Sequence, residues 1–133
     1  MATEDTESTE MDFLNELTEK IIGAAIEVHH TLGPGLLEAT YESALCIELE
    51  DQGIPHLRQH PFPLTYKRRP IGEYRLDLLV DHAVLVEIKS VERFDPIFAA
   101  QVLTYLRATS MKVGLLINFY QRLLRDGIKR FVL

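Results

Sequence analysis

The sequence predicts an α/β domain with a central mixed β-sheet flanked by helices on both faces. Three observations lead there. The chain opens with two stretches whose apolar residues recur at three- and four-residue spacing. Short β-branched and apolar runs separated by turn residues fill the middle, and a proline-led helix then divides those runs from two more apolar segments. With 133 residues, 47% hydrophobic and 26% charged, the chain is long enough for one core, and its composition is that of neither a disordered nor a membrane protein.

Residues 1–13 are rich in Thr, Glu and Ser without apolar periodicity and are expected to form a disordered acidic tail, leaving residues 14–133 as a single domain. Net charge divides the same way. Residues 1–20 carry seven acids against Lys20, which accounts for the whole balance of −6, while the other 113 residues hold 13 acids and 13 bases. The body is therefore neutral and can still meet a polyanion through local basic patches.

Asp12 or Asn15 can cap a first helix whose stripe is Leu14, Leu17, Ile21, Ala24, Ala25 and Val28, and Gly33-Pro34-Gly35 ends it. His29 and His30 fall near its C-terminus, where solvation or a cap suits them. A second helix is expected from about Leu36 to Gln52, with Glu38, Tyr41, Leu45 and Leu49 on one stripe. Cys46 is the only cysteine, so no internal disulfide or thiolate metal site can form, and its apolar neighbours predict a packed thiol.

Pro55, Pro61 and Pro63 interrupt the next apolar run, which predicts an edge strand or two short strands with a bend. Lys67-Arg68-Arg69 makes a basic turn, either solvated or in contact with phosphate. Asp95-Pro96 starts a helix to about Thr109, placing Gln101 and Tyr105 four residues apart on one face. Val113–Phe119 reads as a buried strand and Ile128–Val132 as a short last one. No apolar run reaches membrane-spanning length and no signal-peptide profile is present, so a cytoplasmic protein without a membrane partner is expected.

The chemistry concentrates between Arg75 and Lys89. Apolar and β-branched residues on either side of Asp81-His82 predict two strands joined by a tight turn. Alternation puts Val84, Val86 and Ile88 on one face and Leu85, Glu87 and Lys89 on the other. Antiparallel pairing brings Asp77 near Glu87, so two acids and a lysine share a small volume. Carboxylates can hold Mg²⁺ or Mn²⁺ there, the metal can acidify a water, and the lysine can orient that water on a phosphodiester.

Asp77 followed by Glu87-Ile88-Lys89 resembles the D-(x)n-E-x-K core of the PD-(D/E)XK nuclease superfamily, and Gly35-Leu36-Leu37-Glu38-Ala39-Thr40-Tyr41 resembles the signature of its GxxExxY family. The likeness extends through Lys20–His29, Gly72–Val80 and Gly114–Phe119, and so over about Leu14 to Leu133. It implies a restriction-endonuclease-like core. It also implies metal ligation by Asp77, Glu87 and the Ile88 carbonyl, with Glu38 binding metal directly or through water. Lys89 would orient the water, and Gln101 and Tyr105 would hold phosphate or the lysine. Leu76 stands where the superfamily's naming proline would precede Asp77. The expected function is a Mg²⁺- or Mn²⁺-dependent nuclease acting on DNA or RNA. The alternative is a catalytically inactive nuclease-fold module that binds nucleic acid or protein. Partner expectations also include a homo-oligomer, or a larger complex that supplies the substrate to a real site.

Overall fold

The computed structural model describes the backbone of residues 2–133 and the side chains of residues 7–133. Five strands form one sheet in the order β1-β2-β3-β4-β5: β1 (His56–Tyr66), β2 (Arg69–Val80), β3 (Val84–Lys89), β4 (Val113–Asn118) and β5 (Ile128–Val132). Only β3 and β4 run parallel, and helix α3 (Pro96–Thr109) connects them. Helices α1 (Ala2–Leu32) and α2 (Glu38–Asp51) precede the sheet, and a 3₁₀ turn, Leu124–Gly127, leads into β5. No helix among the described residues is long and apolar enough to cross a membrane.

Alternation in the sheet builds two cores. Leu78, Val80, Val84, Val86 and Ile88 face the stripe Leu14–Leu17–Ile21–Ala25–Val28 of α1 and Tyr41, Leu45 and Leu49 of α2. On the other side Leu85 and Leu116 meet Val102 and Leu106 of α3. This is the expected mixed sheet with helices on both faces. Asp95 caps α3 by accepting from the Ile97 N–H at 2.9 Å, as the Asp-Pro pair predicts. Gly33 stops α1 with φ +73° and an N–H bond back to His29 O at 2.8 Å.

Three local expectations are corrected. Helix α1 covers the stretch expected to be a disordered tail, apart from Met1 and the side chains of residues 2–6, which lie outside the described residues. Its stripe extends one turn further than the sequence suggested, with Met11 packed on the core and Glu10 paired to Lys112 at 2.9 Å, and adding turns to an existing helix is easier than nucleating one. The β2–β3 link spans Asp81–Ala83 rather than two residues. Asp81 and His82 both take positive φ, and the Ala83 N–H closes the turn on Val80 O at 2.9 Å. His29 is buried rather than solvated, with Nε2 2.7 Å from Gln121 O.

Candidate active site

The ladder between β2 and β3 stops early. Leu78 pairs with Val86, Leu79 with Leu85 and Val80 with Val84, and the same register continued would place Asp77 opposite Glu87. There the strands exchange side-chain bonds instead. The Ile88 N–H donates to Asp77 Oδ2 at 2.8 Å, and the Asp77 N–H donates to Glu87 Oε1 at 3.3 Å. Two carboxylates have taken over backbone donors that a regular ladder would have satisfied. The facing of β2 also changes here: Leu78 joins the α1/α2 core, whereas Leu76, two residues earlier, joins the α3 core.

Glu87 is buried, with 7% of its surface exposed. Burial first, then the Asp77 carboxylate, push its pKa up to about 8, while Lys89 and the Asp77 N–H offset part of the rise. Tyr105 lies close enough that burial, followed by the charges of Glu87, Tyr74 and Asp77, raises its own pKa, and its ring packs at 5.5 Å from that of Tyr74. Gln101, one turn earlier on α3, is half-buried.

Asp77 opens onto a cavity of about 400 Å³ lined also by Glu38, Ala39, Glu42, Gln59 and Ile88. Glu38, the first residue of α2, is exposed there and accepts from the Ser90 N–H at 3.3 Å. Tyr41 lies on the buried side of that helix. It stacks on Phe119 at 4.4 Å, donates its hydroxyl to Gly33 O at 2.5 Å and accepts from the Leu36 N–H at 3.1 Å. The conspicuous tyrosine is thus a brace for the loop leading to Glu38.

Lys89 does not line the cavity; its ammonium sits 4.6 Å from the centre of the Phe98 ring. The basic turn is also remote. Tyr66 and Arg69 pair at the far end of the β1–β2 ribbon. Seven residues of strand separate Tyr66 from Gln59, roughly 23 Å. Lys67 lies 5.5 Å from the Tyr66 ring centre.

Sequence reasoning missed the groups that hold Asp77 in place. Gln59 Nε2 donates to Asp77 Oδ1 at 3.2 Å and to Glu42 Oε1 at 2.7 Å, and Glu42 Oε2 receives Arg58 at 3.1 Å. Gln59 takes φ +48°, an uncommon conformation for a residue with a side chain, at the point where β1 passes Asp77. Glu42 stands one helical turn beyond Glu38, which was an available signal; the contact across β1 was not.

No group of three His, Cys, Asp or Glu side chains close enough for a metal ion is present among the described residues. The donor chemistry nevertheless fits a hard cation. Asp77 and Glu87 supply oxygen ligands from adjacent strands, the charge of Lys89 offsets part of the rise in the Glu87 pKa, and small divalent ions keep several waters when only one or two carboxylates bind them. Glu38 lines the same cavity as Asp77.

Residues 15–131 match a family model described as the PD-(D/E)XK nuclease superfamily. No curated protein and no solved structure matches the chain.

Proposed function

Since the chain belongs to the PD-(D/E)XK nuclease superfamily, we propose that it is a divalent-metal-dependent nuclease of the GxxExxY kind that hydrolyses phosphodiester bonds of DNA or RNA. The observation that carries this is the reciprocal exchange at the parted strands, with Asp77 receiving the Ile88 N–H and Glu87 receiving the Asp77 N–H beside a cavity that Glu38 shares. A fold gains nothing structurally from setting two carboxylates face to face at a strand gap, and here it raises the pKa of one of them.

Asp77, Glu87 and the Ile88 carbonyl would hold Mg²⁺ or Mn²⁺, with Glu38 reaching it through water. That ion supplies a water of lowered pKa and neutralises charge gathering on the phosphate. The Gln59 amide fixes one Asp77 oxygen, leaving the carboxylate a single orientation toward the gap. Lys89 extends from the same face of β3 as Glu87, and by leaving the Phe98 ring it can orient the attacking water. Tyr105, within electrostatic reach of Glu87 from α3, and Gln101, one turn earlier on the same helix, would donate to a phosphate oxygen. Lys67, Arg68 and Arg69, at the ribbon tip, can touch only a substrate that extends well beyond the scissile bond.

A binding module without turnover is the second reading, and the placement of Lys89 on Phe98 favours it. Hydrolysis of labelled single- and double-stranded DNA and RNA with Mn²⁺, Mg²⁺ or EDTA separates the two. Cleavage that needs metal and falls at least about 100-fold in Asp77→Ala and Glu87→Ala supports the nuclease. Tight nucleic-acid binding by both variants and the unaltered chain, with no cleavage by any, supports the module.

A further inference from the structure

A second cleft, of about 570 Å³, lies between the C-terminal end of α1 and the segment after β4. Ile26, His30, Gly33, Pro34, Arg122 and Arg125 are among the residues that line it. Both arginines are exposed and neither makes an ion pair or hydrogen bond among the described residues. Unpaired guanidiniums around a concave surface form a receptor for a phosphate oxygen, because their planar fork matches its geometry.

The frame of this cleft is rigid. His29 ties α1 to Gln121 O at 2.7 Å, and buried Asn118 clasps Val91 through both ends of its amide, at 3.1 Å and 2.9 Å. A Cβ at Gly127 would meet Asn118 O at 2.3 Å, so the turn carrying the arginines is packed directly on the end of β4.

Its position relates it to the carboxylates. β3 and β4 run parallel, so Lys89-Ser90 and the Phe119–Arg125 segment emerge at the same end of the sheet, where open α/β sheets place their ligands. One loop separates the two cavities: Gly33 and Pro34 wall the arginine cleft, while Glu38 and Ala39 wall the Asp77 cavity. Tyr41 and Ser90 pin that loop, with Ser90 Oγ donating to Leu36 O at 2.6 Å. From Pro34 to Glu38 is at most about 13 Å of chain. That span corresponds to about four nucleotides at the roughly 3.4 Å rise of a duplex strand, and to about two of an extended single strand.

We infer that the His30–Arg122–Arg125 cleft is a phosphate subsite for the nucleic-acid strand entering or leaving the Asp77 cavity, so that the protein grips its substrate a few nucleotides from the bond it cuts. The inference rests on the nuclease reading for the identity of the strand, and on the cleft itself for the binding of phosphate. Two arginine contacts to phosphate contribute affinity that falls with salt and does not depend on base sequence.

The test is fluorescence anisotropy in EDTA with the full chain and a labelled single-stranded DNA of about 12 nucleotides, the footprint of a small single-strand binder. Arg122→Ala/Arg125→Ala should bind about tenfold more weakly, with the slope of log K against log salt reduced by about 1.4, the release expected for two phosphates. Arg122→Lys/Arg125→Lys should regain most of the slope. Unchanged affinity and slope in the alanine variant overturn the subsite. So does an equal loss in Arg107→Ala, which changes an exposed arginine at the end of α3 and would report only general charge. Hydrolysis of bis(p-nitrophenyl) phosphate by the unaltered chain with Mn²⁺ reports on the Asp77 cavity alone. Arginine-dependent binding without that hydrolysis would leave the cleft standing as a phosphate site and remove the nuclease reading.

Discussion

Replacing Glu87 with glutamine should stabilise the metal-free protein by an amount that grows with pH. Burial, followed by the neighbouring Asp77 carboxylate, lifts Glu87 from 4.5 to about 8. A group with a raised folded pKa keeps in the native state a proton that the unfolded chain has released. The favourable contribution is therefore complete below 4.5 and is lost as pH rises to about 8. Each pH unit in that window is worth about 1.4 kcal/mol. The folded protein thus loses up to about 3 kcal/mol by pH 7 and about 5 above pH 8, both upper bounds because water entry and relaxation soften the penalty. Glutamine carries no charge at any pH, and its carbonyl can still accept the Asp77 N–H now bound at 3.3 Å. Urea melts of both proteins in EDTA between pH 5 and 9 measure the difference, from which the shared histidines cancel. The gap should be under about 1 kcal/mol at pH 5 and several kcal/mol at pH 8. Saturating Mn²⁺ should narrow it, since a cation bound to the native carboxylates stabilises the wild type more than the variant. A gap that stays constant across the range, or a variant less stable than wild type at pH 8, would refute a buried glutamate beside an aspartate.

Gln59 offers a separation of strain from function. Gln59→Ala and Gln59→Gly should lose hydrolysis to a similar degree because both release Asp77 Oδ1, yet the glycine variant should be about 1 kcal/mol the more stable in thermal melts, since it accepts φ +48° freely. Gly127→Ala should cost about 2–4 kcal/mol in denaturant unfolding, because the 2.3 Å clash is with backbone that cannot step aside. Tyr41→Phe should lower stability by about 1–3 kcal/mol and speed amide exchange at Leu36, whose N–H loses its acceptor. The Cys46 thiol, pushed up to about 11 by burial, should react with a thiol reagent at pH 8 only as fast as the core opens, so its labelling rate should fall with any stabilising variant.

Local rules reached much of this architecture. Proline and aspartate marked the start of α3, glycine marked the end of α1, and period-two alternation correctly divided Val84, Val86 and Ile88 from Leu85. The prolines of β1 left an edge strand or two short strands with a bend, and the structure takes the edge strand. Tyr41 was harder, because a tyrosine on a buried stripe beside an acid looks the same in sequence whether it serves chemistry or braces a loop. The early start of α1 was hidden because its support is a contact of Met11 and an ion pair of Glu10 with Lys112, 102 residues away.

The sequence by itself determined which residues carry charge on apolar strands, and it put Asp77 and Glu87 on neighbouring strands of one hairpin, because alternation and turn chemistry act over a few residues. Only the tertiary structure decided what those groups meet. Glu38 lines the same cavity as Asp77, Lys89 lies on Phe98 of another element, and Gln59 reaches from β1 to hold the aspartate. Those contacts depend on the packing of α2, α3 and β1 around the place where β2 and β3 part, and no local pattern encodes the gap between two strands.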